Sequence, residues 1–180
     1  GFTGRLSRAE QERLLEAAAR LADPDAFAPP KGEWVKNLND RLTPGGGDVG
    51  LTIYGLGAVH RMTWRVEAAD MTAALRGCLL EIRFDDQPEP SVRAPLGDFF
   101  ATAPGLNPYR ALPLEVREDG ALVSRWVMPY QHKFDLTVTN WSAGEVAIHG
   151  EVAGGFWPWD EDSLYFHAGW RADPALPTPP

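Results

Sequence analysis

The hydrophobic pattern of the chain has a period of two from residue 51 onward, as is typical of β-strands. Residues 58–66 illustrate it, because Met62, Trp64 and Val66 would share one face of a strand. Alternation or short apolar runs predict further strands at residues 51–54, 78–84, 91–94, 112–116, 121–126, 135–140, 146–152 and 163–170. Since no long helix separates them, we predict an all-β fold, a single antiparallel jelly-roll sandwich with one N-terminal helix.

That helix is predicted at residues 7–22. Ser7 and Glu10 have the spacing of a capping box, and the apolar residues from Leu14 to Ala22 recur at helical spacing. A proline at position 24 ends the pattern, and residues 68–74 predict a short helical turn.

The same pattern divides the chain into three parts. We assign residues 1–33 to the N-terminal helix and a Pro-rich arm, residues 34–172 to the jelly-roll domain, and residues 173–180 to a Pro-rich tail. Within the domain, residues 34–50 are predicted to be a loop, because they contain Asn37, Asn39 and a Pro-Gly-Gly-Gly run that are typical of turns.

Charge and composition narrow the class of partner. The net charge of −8 argues against nucleic acid or an anionic membrane and suits a neutral ligand such as a sugar. Seven tryptophans offer flat apolar faces for such a ligand. No apolar run approaches the ~20 residues of a membrane span, and no signal peptide is visible, so we expect a soluble protein and leave its compartment open.

Catalytic and metal-binding motifs are not evident. Cys78 is the single cysteine, so an intramolecular disulfide is ruled out. It is predicted to be a buried structural thiol. The histidines are scattered, so we predict neither a metal site nor a cofactor. Acidic residues are plentiful, and the pair that glycosidic cleavage requires is defined by distance in space rather than by spacing in sequence.

Two segments are candidates for ligand binding. Asp98 lies between Gly97 and two phenylalanines at a predicted strand end, where its carboxylate either anchors a loop or accepts hydrogen bonds from sugar hydroxyls. Residues 156–162 are rich in aromatic and acidic side chains. This segment could stack on sugars, contact another subunit or cap one end of the sandwich.

The stretch at residues 80–100 resembles the domain of unknown function 2961, also classified as glycoside hydrolase family 172. Family members typically have aspartate-glycine-glutamate, then proline-serine-valine, then a proline-x-glycine-aspartate-phenylalanine-phenylalanine run. Residues 55–59, 126–130 and 165–171 resemble further family segments in the same order, and Asn140 closes a strand as expected. Among the departures, Asp86 replaces the family's turn glycine, Leu56 its middle proline and Gly169 a common glutamine.

The resemblance implies a jelly-roll fold, usually two fused jelly rolls assembled as trimers or multiples of trimers. It also implies exo-acting, retaining cleavage of α-fructofuranosides or D-arabinofuranosides near protomer interfaces. The catalytic glutamates are expected in the second jelly roll, which the sequence does not contain, so no catalytic residue is assigned.

Two functions follow as expectations. The chain is either the jelly-roll domain of a furanoside-cleaving glycoside hydrolase that lacks a self-contained catalytic pair, or a non-catalytic jelly-roll module that binds glycan or builds a symmetric oligomer. A carbohydrate ligand and a homo-oligomer, a trimer or a multiple of three, are the expected partners. The predicted substrate-binding residues are Asp98, Phe99, Phe100, His167, Trp170 and Asn39.

Overall fold

A computed structural model of the chain describes residues 6–23, 25 and 34–173. The rest of the predicted arm and the tail from residue 174 lie outside the described residues. The helices are α1 (Arg8–Ala22), α2 (Met71–Gly77) and α3 (Leu96–Phe99). The strands are β1 (Trp34–Leu42), β2 (Gly47–Tyr54), β3 (Gly57–Ala68), β4 (Cys78–Phe84), β5 (Val92–Pro95), β6 (Tyr109–Arg110), β7 (Leu114–Val116), β8 (Leu122–Ser124), β9 (Met128–Tyr130), β10 (Lys133–Asn140), β11 (Val146–Gly155) and β12 (Ala168–Gly169).

The strands form two sheets. One sheet has the order β1-β11-β3-β8-β7-β6, with β9 also paired to β3, and the other has the order β12-β5-β4-β10-β2. Eight strands form nested antiparallel pairs: β1 with β11, β2 with β10, β3 with β8 and β4 with β5. This nesting across two sheets is the strand order expected of a jelly roll. The predicted all-β sandwich is therefore confirmed.

The hydrophobic core lies between the sheets. In β4 every second side chain is buried, including Leu80, Ile82 and Phe84, and β10 alternates in the same way. Trp64 of β3 is fully buried and meets Phe100 edge to face, with ring centroids 5.7 Å apart. Each fully buried large side chain stabilises the fold by about 1.5–3 kcal/mol relative to an exposed one.

The prediction of a loop at residues 34–50 is wrong, because this stretch contains β1 and the first half of β2. β1 is an edge strand that pairs along its whole length with β11, from Trp34 opposite Gly154 to Leu42 opposite Val146. Only Leu38 and Leu42 are buried, and the other side chains are exposed or half-buried. The strand therefore lacks the alternation by which strands are recognised, and its pairing overrides the turn preference of Asn and Asp.

The prediction of a strand at residues 163–170 is also too long, since only β12 at its end is paired. The segment before β12 is irregular and is held by side chains. Trp157 Nε1 donates to Ser163 Oγ at 3.3 Å, and the rings of Trp159 and Tyr165 lie 4.8 Å apart. Aromatic packing thus produces an apolar pattern without a strand.

Helix α1 begins with the predicted capping box, in which Ser7 and Glu10 exchange hydrogen bonds. Its apolar side chains are nevertheless exposed, Leu14 by 54% and Leu21 by 63%. The predicted turn before β4 is helix α2, capped by the Asp70 carboxylate, which accepts a hydrogen bond from the Ala73 N–H at 2.9 Å.

Candidate functional site

A surface cavity of about 400 Å³ lies beside α3, between the β8–β9 connection and β12. It is lined by Ala94, Asp98, Phe99, Trp126, Phe166, His167, Ala168, Gly169 and Trp170. We call this the aromatic cavity. Its lining comes from four separate stretches of sequence, which the sandwich brings together.

Four of the six predicted binding residues line this cavity: Asp98, Phe99, His167 and Trp170. The other two lie elsewhere. Phe100 is fully buried in the core against Trp64. Asn39 lies on β1 in the other sheet, where its Oδ1 accepts the Gly150 N–H at 3.1 Å. The structure does not bring either of these two residues to the cavity.

The carboxylate that lines this cavity, Asp98, forms an ion pair with Arg76. The Arg76 Nη1 donates to Asp98 Oδ2, and the guanidinium also lies 5.2 Å from the ring centroid of Trp170. The Asp98 side chain is 25% exposed and that of Arg76 is 55% exposed. The carboxylate is thus held in place by one cation and still reaches solvent.

Aromatic side chains form the walls. The rings of Trp126 and Phe166 lie 5.3 Å apart, and Phe99 packs against Phe100 with centroids 5.1 Å apart. Trp170 directly follows β12, and its backbone N–H donates to the carbonyl of Arg93 in β5 at 3.2 Å. This hydrogen bond lies beside the parallel pairing of β12 with β5 and holds Trp170 in place.

A second cavity, of about 420 Å³, is lined by both members of the ion pair. It is lined by Thr72, Leu75, Arg76, Asp98, Ala103, Pro104 and Gly105. We call this the α2 cavity. It shares Asp98 with the aromatic cavity, so one carboxylate faces both spaces.

Sequence reasoning missed three residues of this site. Trp126 and Phe166 lie within segments that resemble the family, and their place beside other motif residues was a usable signal. Arg76 had no such signal, because an arginine in the last turn of a short helix is an ordinary surface residue.

A second carboxylate, Asp85, has very different surroundings at the turn after β4. Its Oδ1 accepts the N–H groups of His132 and Lys133, both at 2.8 Å. Its Oδ2 accepts the N–H of Gln131 at 2.8 Å and the hydroxyl of Tyr165 at 2.7 Å. Burial alone would raise the pKa of Asp85, but these four hydrogen bonds outweigh it and lower the pKa below its usual value.

The turn also explains one departure from the family pattern. Asp85 and Asp86 have φ angles of 50° and 58°, in the left-handed region that glycine adopts most easily. Aspartate tolerates this geometry better than most residues, so Asp86 can stand in place of the turn glycine. Asp86 is exposed and pairs with Lys133 at 2.7 Å.

The chemistry available at the two cavities is recognition of a polar ligand. Asp98 is the single carboxylate among their described lining residues, whereas retaining glycosidic cleavage uses two carboxyls about 5–5.5 Å apart. Within the described part of the chain, no group of three or more His, Cys, Asp or Glu side chains could hold a metal ion. No helix in that part is long and apolar enough to cross a membrane.

Two of the solved structures that match the chain are distantly similar to it. The serine protease of Aeromonas sobria, alone and in complex with its chaperone ORF2, matches at 13% identity with a TM-score of 0.33. Each match covers 81% of this chain and 30% of the other, so the chain spans less than a third of those proteins. No curated protein matches the chain.

The family comparison is more informative. The model described as GH172 domain-like matches residues 34–149, from the first residue of β1 into β11. This match includes Arg76, Asp98 and Trp126, and it covers well over half of the chain. The chain therefore belongs to the GH172 domain-like family and is related to glycoside hydrolases.

Proposed function

We propose that this chain is the jelly-roll domain of a furanoside-cleaving glycoside hydrolase and that it binds the sugar at the aromatic cavity. The observation that carries the proposal is the arrangement of Asp98, Arg76 and Trp170. A carboxylate and a guanidinium stand side by side against an aromatic ring, at the rim of a space bounded by further aromatic rings.

This arrangement suits the two kinds of surface that a sugar presents. The C–H face of a furanose ring packs on flat apolar groups such as Trp126 and Trp170. Neighbouring hydroxyls can donate to the Asp98 carboxylate and accept from the Arg76 guanidinium, and hydrogen bonds to charged groups are the stronger ones. A volume of about 400 Å³ lies within the range of small-molecule sites.

Among the residues that the structure describes, Asp98 is the single carboxylate lining these cavities, which supports a catalytic pair completed from elsewhere. We propose that the remaining carboxyl groups come from another segment or from another protomer of a homo-oligomer, a trimer or a multiple of three. The same observation favours a second candidate function, a non-catalytic module that binds furanosides without cleaving them.

The test combines binding with turnover. Methyl α-D-arabinofuranoside and methyl α-D-fructofuranoside are titrated calorimetrically, and the p-nitrophenyl furanosides are assayed for hydrolysis. Trp170→Ala is expected to weaken binding at least tenfold, because aromatic stacking and the support of Arg76 are both lost. Trp141→Ala is the matched control, since Trp141 is 62% exposed and lines neither cavity.

The outcomes separate the two functions. Hydrolysis that is lost in Trp170→Ala but retained in Trp141→Ala supports the enzyme. Binding with the same dependence on Trp170 but without hydrolysis supports the non-catalytic module. If neither methyl furanoside binds the native chain, both are refuted.

A further inference from the structure

Three arginines converge at one end of the β1-to-β6 sheet, on its short strands β6, β7 and β8. Arg110 is the last residue of β6, Arg117 directly follows β7, and Arg125 directly follows β8. Antiparallel pairing of β7 with both neighbours gathers the three side chains around Glu115 of β7. We call these three residues the arginine cluster. None of them is among the described residues that line the aromatic cavity.

Glu115 lies at the centre of the arginine cluster. Its Oε2 accepts a hydrogen bond from Arg125, and its Oε1 lies 3.8 Å from Arg117 Nε and 4.0 Å from Arg110 Nε. The side chains of Arg125 and Glu115 are only 10% and 11% exposed. One carboxylate neutralises one of the three cationic charges. A local positive excess therefore remains on a protein whose net charge is −8, and it attracts a further anion.

Asp25, from the segment after α1, supplies that further anion. Its Oδ1 accepts a hydrogen bond from Arg125 Nη2 at 2.8 Å, and its Oδ2 accepts one from Arg117 Nη2 at 3.2 Å. Arg110 Nη2 lies 3.9 Å from Oδ2. Burial alone would raise the pKa of Asp25, but the Arg125 hydrogen bonds and the charges of all three arginines outweigh it and lower the pKa. Asp25 is thus a bound anion at neutral pH.

The occupation of the arginine cluster by Asp25 is incomplete in two respects. The Asp25 side chain is 38% exposed, so solutes have access to it. Nη1 of Arg125 is buried and has no hydrogen-bond partner in the part of the chain that the structure describes. A buried donor without an acceptor is costly, so an anion with more oxygens than a carboxylate would suit this arginine better.

We propose that the arginine cluster is an exchangeable binding site for a phosphate group, free or as a monoester, and that Asp25 occupies it when no phosphate is bound. A phosphate monoester carries three strong acceptor oxygens and nearly two negative charges at neutral pH, whereas Asp25 carries two oxygens and one charge. Guanidinium groups bind phosphate through paired hydrogen bonds, which are among the stronger ones in proteins.

A neighbouring cavity of about 270 Å³ has room for the organic part of a phosphate ester. Arg110, Glu115 and Arg117 line it together with Tyr109, which offers an aromatic side chain to that organic part. The exposed Glu118 lines the cavity as well and would repel a second anionic group. The ester that fits is accordingly a monoester of a neutral alcohol.

The first test measures phosphate affinity with and without the charge of Asp25. Inorganic phosphate is titrated calorimetrically at constant ionic strength against the native chain and Asp25→Asn. We expect Asp25→Asn to bind phosphate about fivefold more tightly, because a competing negative charge is removed. Glu145→Gln is the matched control and should bind phosphate as the native chain does, since it releases one exposed arginine, Arg41, from a pair at 3.0 Å.

The second test locates the phosphate. Arg117→Gln, added to Asp25→Asn, should abolish the gain in affinity, whereas Arg41→Gln in the same background should preserve it. Thermal melting establishes that all variants are folded. Titration of phenyl phosphate distinguishes the two sources of the group: tighter binding than inorganic phosphate assigns the site to monoesters, and equal or weaker binding assigns it to free phosphate.

Exchange should also release the segment that carries Asp25. Phosphate is therefore expected to accelerate limited proteolysis of α1 in the native chain several-fold over chloride at the same ionic strength. Equal phosphate affinity in Asp25→Asn and the native chain would overturn the proposal, and so would a gain that survives Arg117→Gln. A proteolysis rate that phosphate leaves unchanged would show that Asp25 is not displaced.

Discussion

Asp85 and Asp98 stand at the two ends of one short stretch of chain, and the fold gives them opposite surroundings. The side chain of Asp85 is 6% exposed, and each of its oxygens accepts two hydrogen bonds from the protein. Asp98 is 25% exposed, pairs with Arg76 and faces two cavities. One carboxylate has no acceptor capacity left for a ligand, whereas the other has most of it.

The difference lies in how many hydrogen bonds each carboxylate can still accept. A carboxylate whose oxygens are occupied by protein donors stabilises the fold, and one whose oxygens remain available can bind a ligand. Asp85 joins the turn after β4 to the start of β10 and to Tyr165, so its oxygens are occupied by the fold itself. Asp98 is oriented by one cation and leaves its remaining lone pairs to solvent or ligand. Five predictions, from the largest expected effect to the smallest, test and extend this comparison.

The largest effect is expected for Asp85→Asn. An NH₂ group at the Oδ1 position would face two backbone N–H donors, and at the Oδ2 position it would face the Gln131 N–H and the Tyr165 hydroxyl, which can turn to accept. In either orientation at least one buried N–H group loses its acceptor. We expect the free energy of unfolding to fall by about 2–3 kcal/mol and Tm by roughly 5–10 °C. Urea unfolding and thermal melting measure this.

Asp86→Asn is the control for that change. Asn tolerates the left-handed conformation as Asp does. The substitution removes the ion pair with Lys133, in which the Asp86 side chain is 64% exposed. The free energy of unfolding should change by less than about 1 kcal/mol. Equal losses in the two variants would contradict the structural role of Asp85.

The effect of Asp85 should also depend on pH. Because its pKa is lowered in the folded state, its contribution is complete above the unfolded pKa of about 3.9 and is lost as pH falls through the folded pKa. The stability difference between the native chain and Asp85→Asn should therefore narrow below about pH 4. A difference that stays constant down to pH 2 would show that charge is not its source.

Asp98→Asn should change stability little and furanoside affinity strongly. The ion pair with Arg76 is partly exposed, so stability should change by less than about 1 kcal/mol. Furanoside affinity should fall about tenfold, because a charged acceptor of sugar hydroxyls is replaced by a neutral amide. Calorimetry and thermal melting on the same sample measure both quantities, and a stability loss as large as that of Asp85→Asn would break the comparison.

A third carboxylate, Asp25, is intermediate in the number of hydrogen bonds that it accepts, although it is the most exposed of the three. Arg125 donates to it from Nη2 at 2.8 Å, and Arg117 donates at 3.2 Å, while its side chain remains 38% exposed. Asp25→Asn should lower stability by about 0.5–1 kcal/mol and make α1 more sensitive to limited proteolysis, more clearly at low salt than at high salt. Glu12→Gln is the control, because Glu12 lies within α1 and pairs with Arg8 at 3.1 Å, and both side chains are exposed.

The smallest effect is expected at Gly169, the position at which the family resemblance of the sequence implies a glutamine. A Cβ at this position would meet no atom within 4 Å, and Gly169 lines the aromatic cavity. Gly169→Gln should therefore fit and raise furanoside affinity about two- to threefold through one added hydrogen bond. Gly169→Ala separates this gain from any effect of the backbone, and a loss of affinity in Gly169→Gln would contradict an open cavity there.

The strands that could be predicted are those whose side chains alternate between core and solvent. β4 and β10 alternate without a break, and the sequence locates both within two residues. β1 could not be found, because an edge strand with only Leu38 and Leu42 buried carries too few apolar positions to define a period. Its partner β11 is distant in sequence, so the pairing that stabilises β1 is not visible locally.

The candidate site was predictable to the extent that motif residues cluster. Asp98 and Trp170 could be chosen from the family pattern, and the structure brings them to one cavity. Phe99 and Phe100 could not be distinguished, since a single turn of α3 decides which ring lines the cavity and which is buried with Trp64. Arg76 could not be identified either, because its role comes entirely from its position beside Asp98.

The short pairing of β12 with β5 has a consequence for the motions of the molecule. β12 joins its sheet by only two residues in parallel register, outside the nested strands that enclose the core. The segment that carries His167 and Trp170 can therefore open locally while the sandwich stays folded. Amide hydrogens of Ala168 and Trp170 should exchange faster than those of β4, and a bound furanoside should slow them selectively.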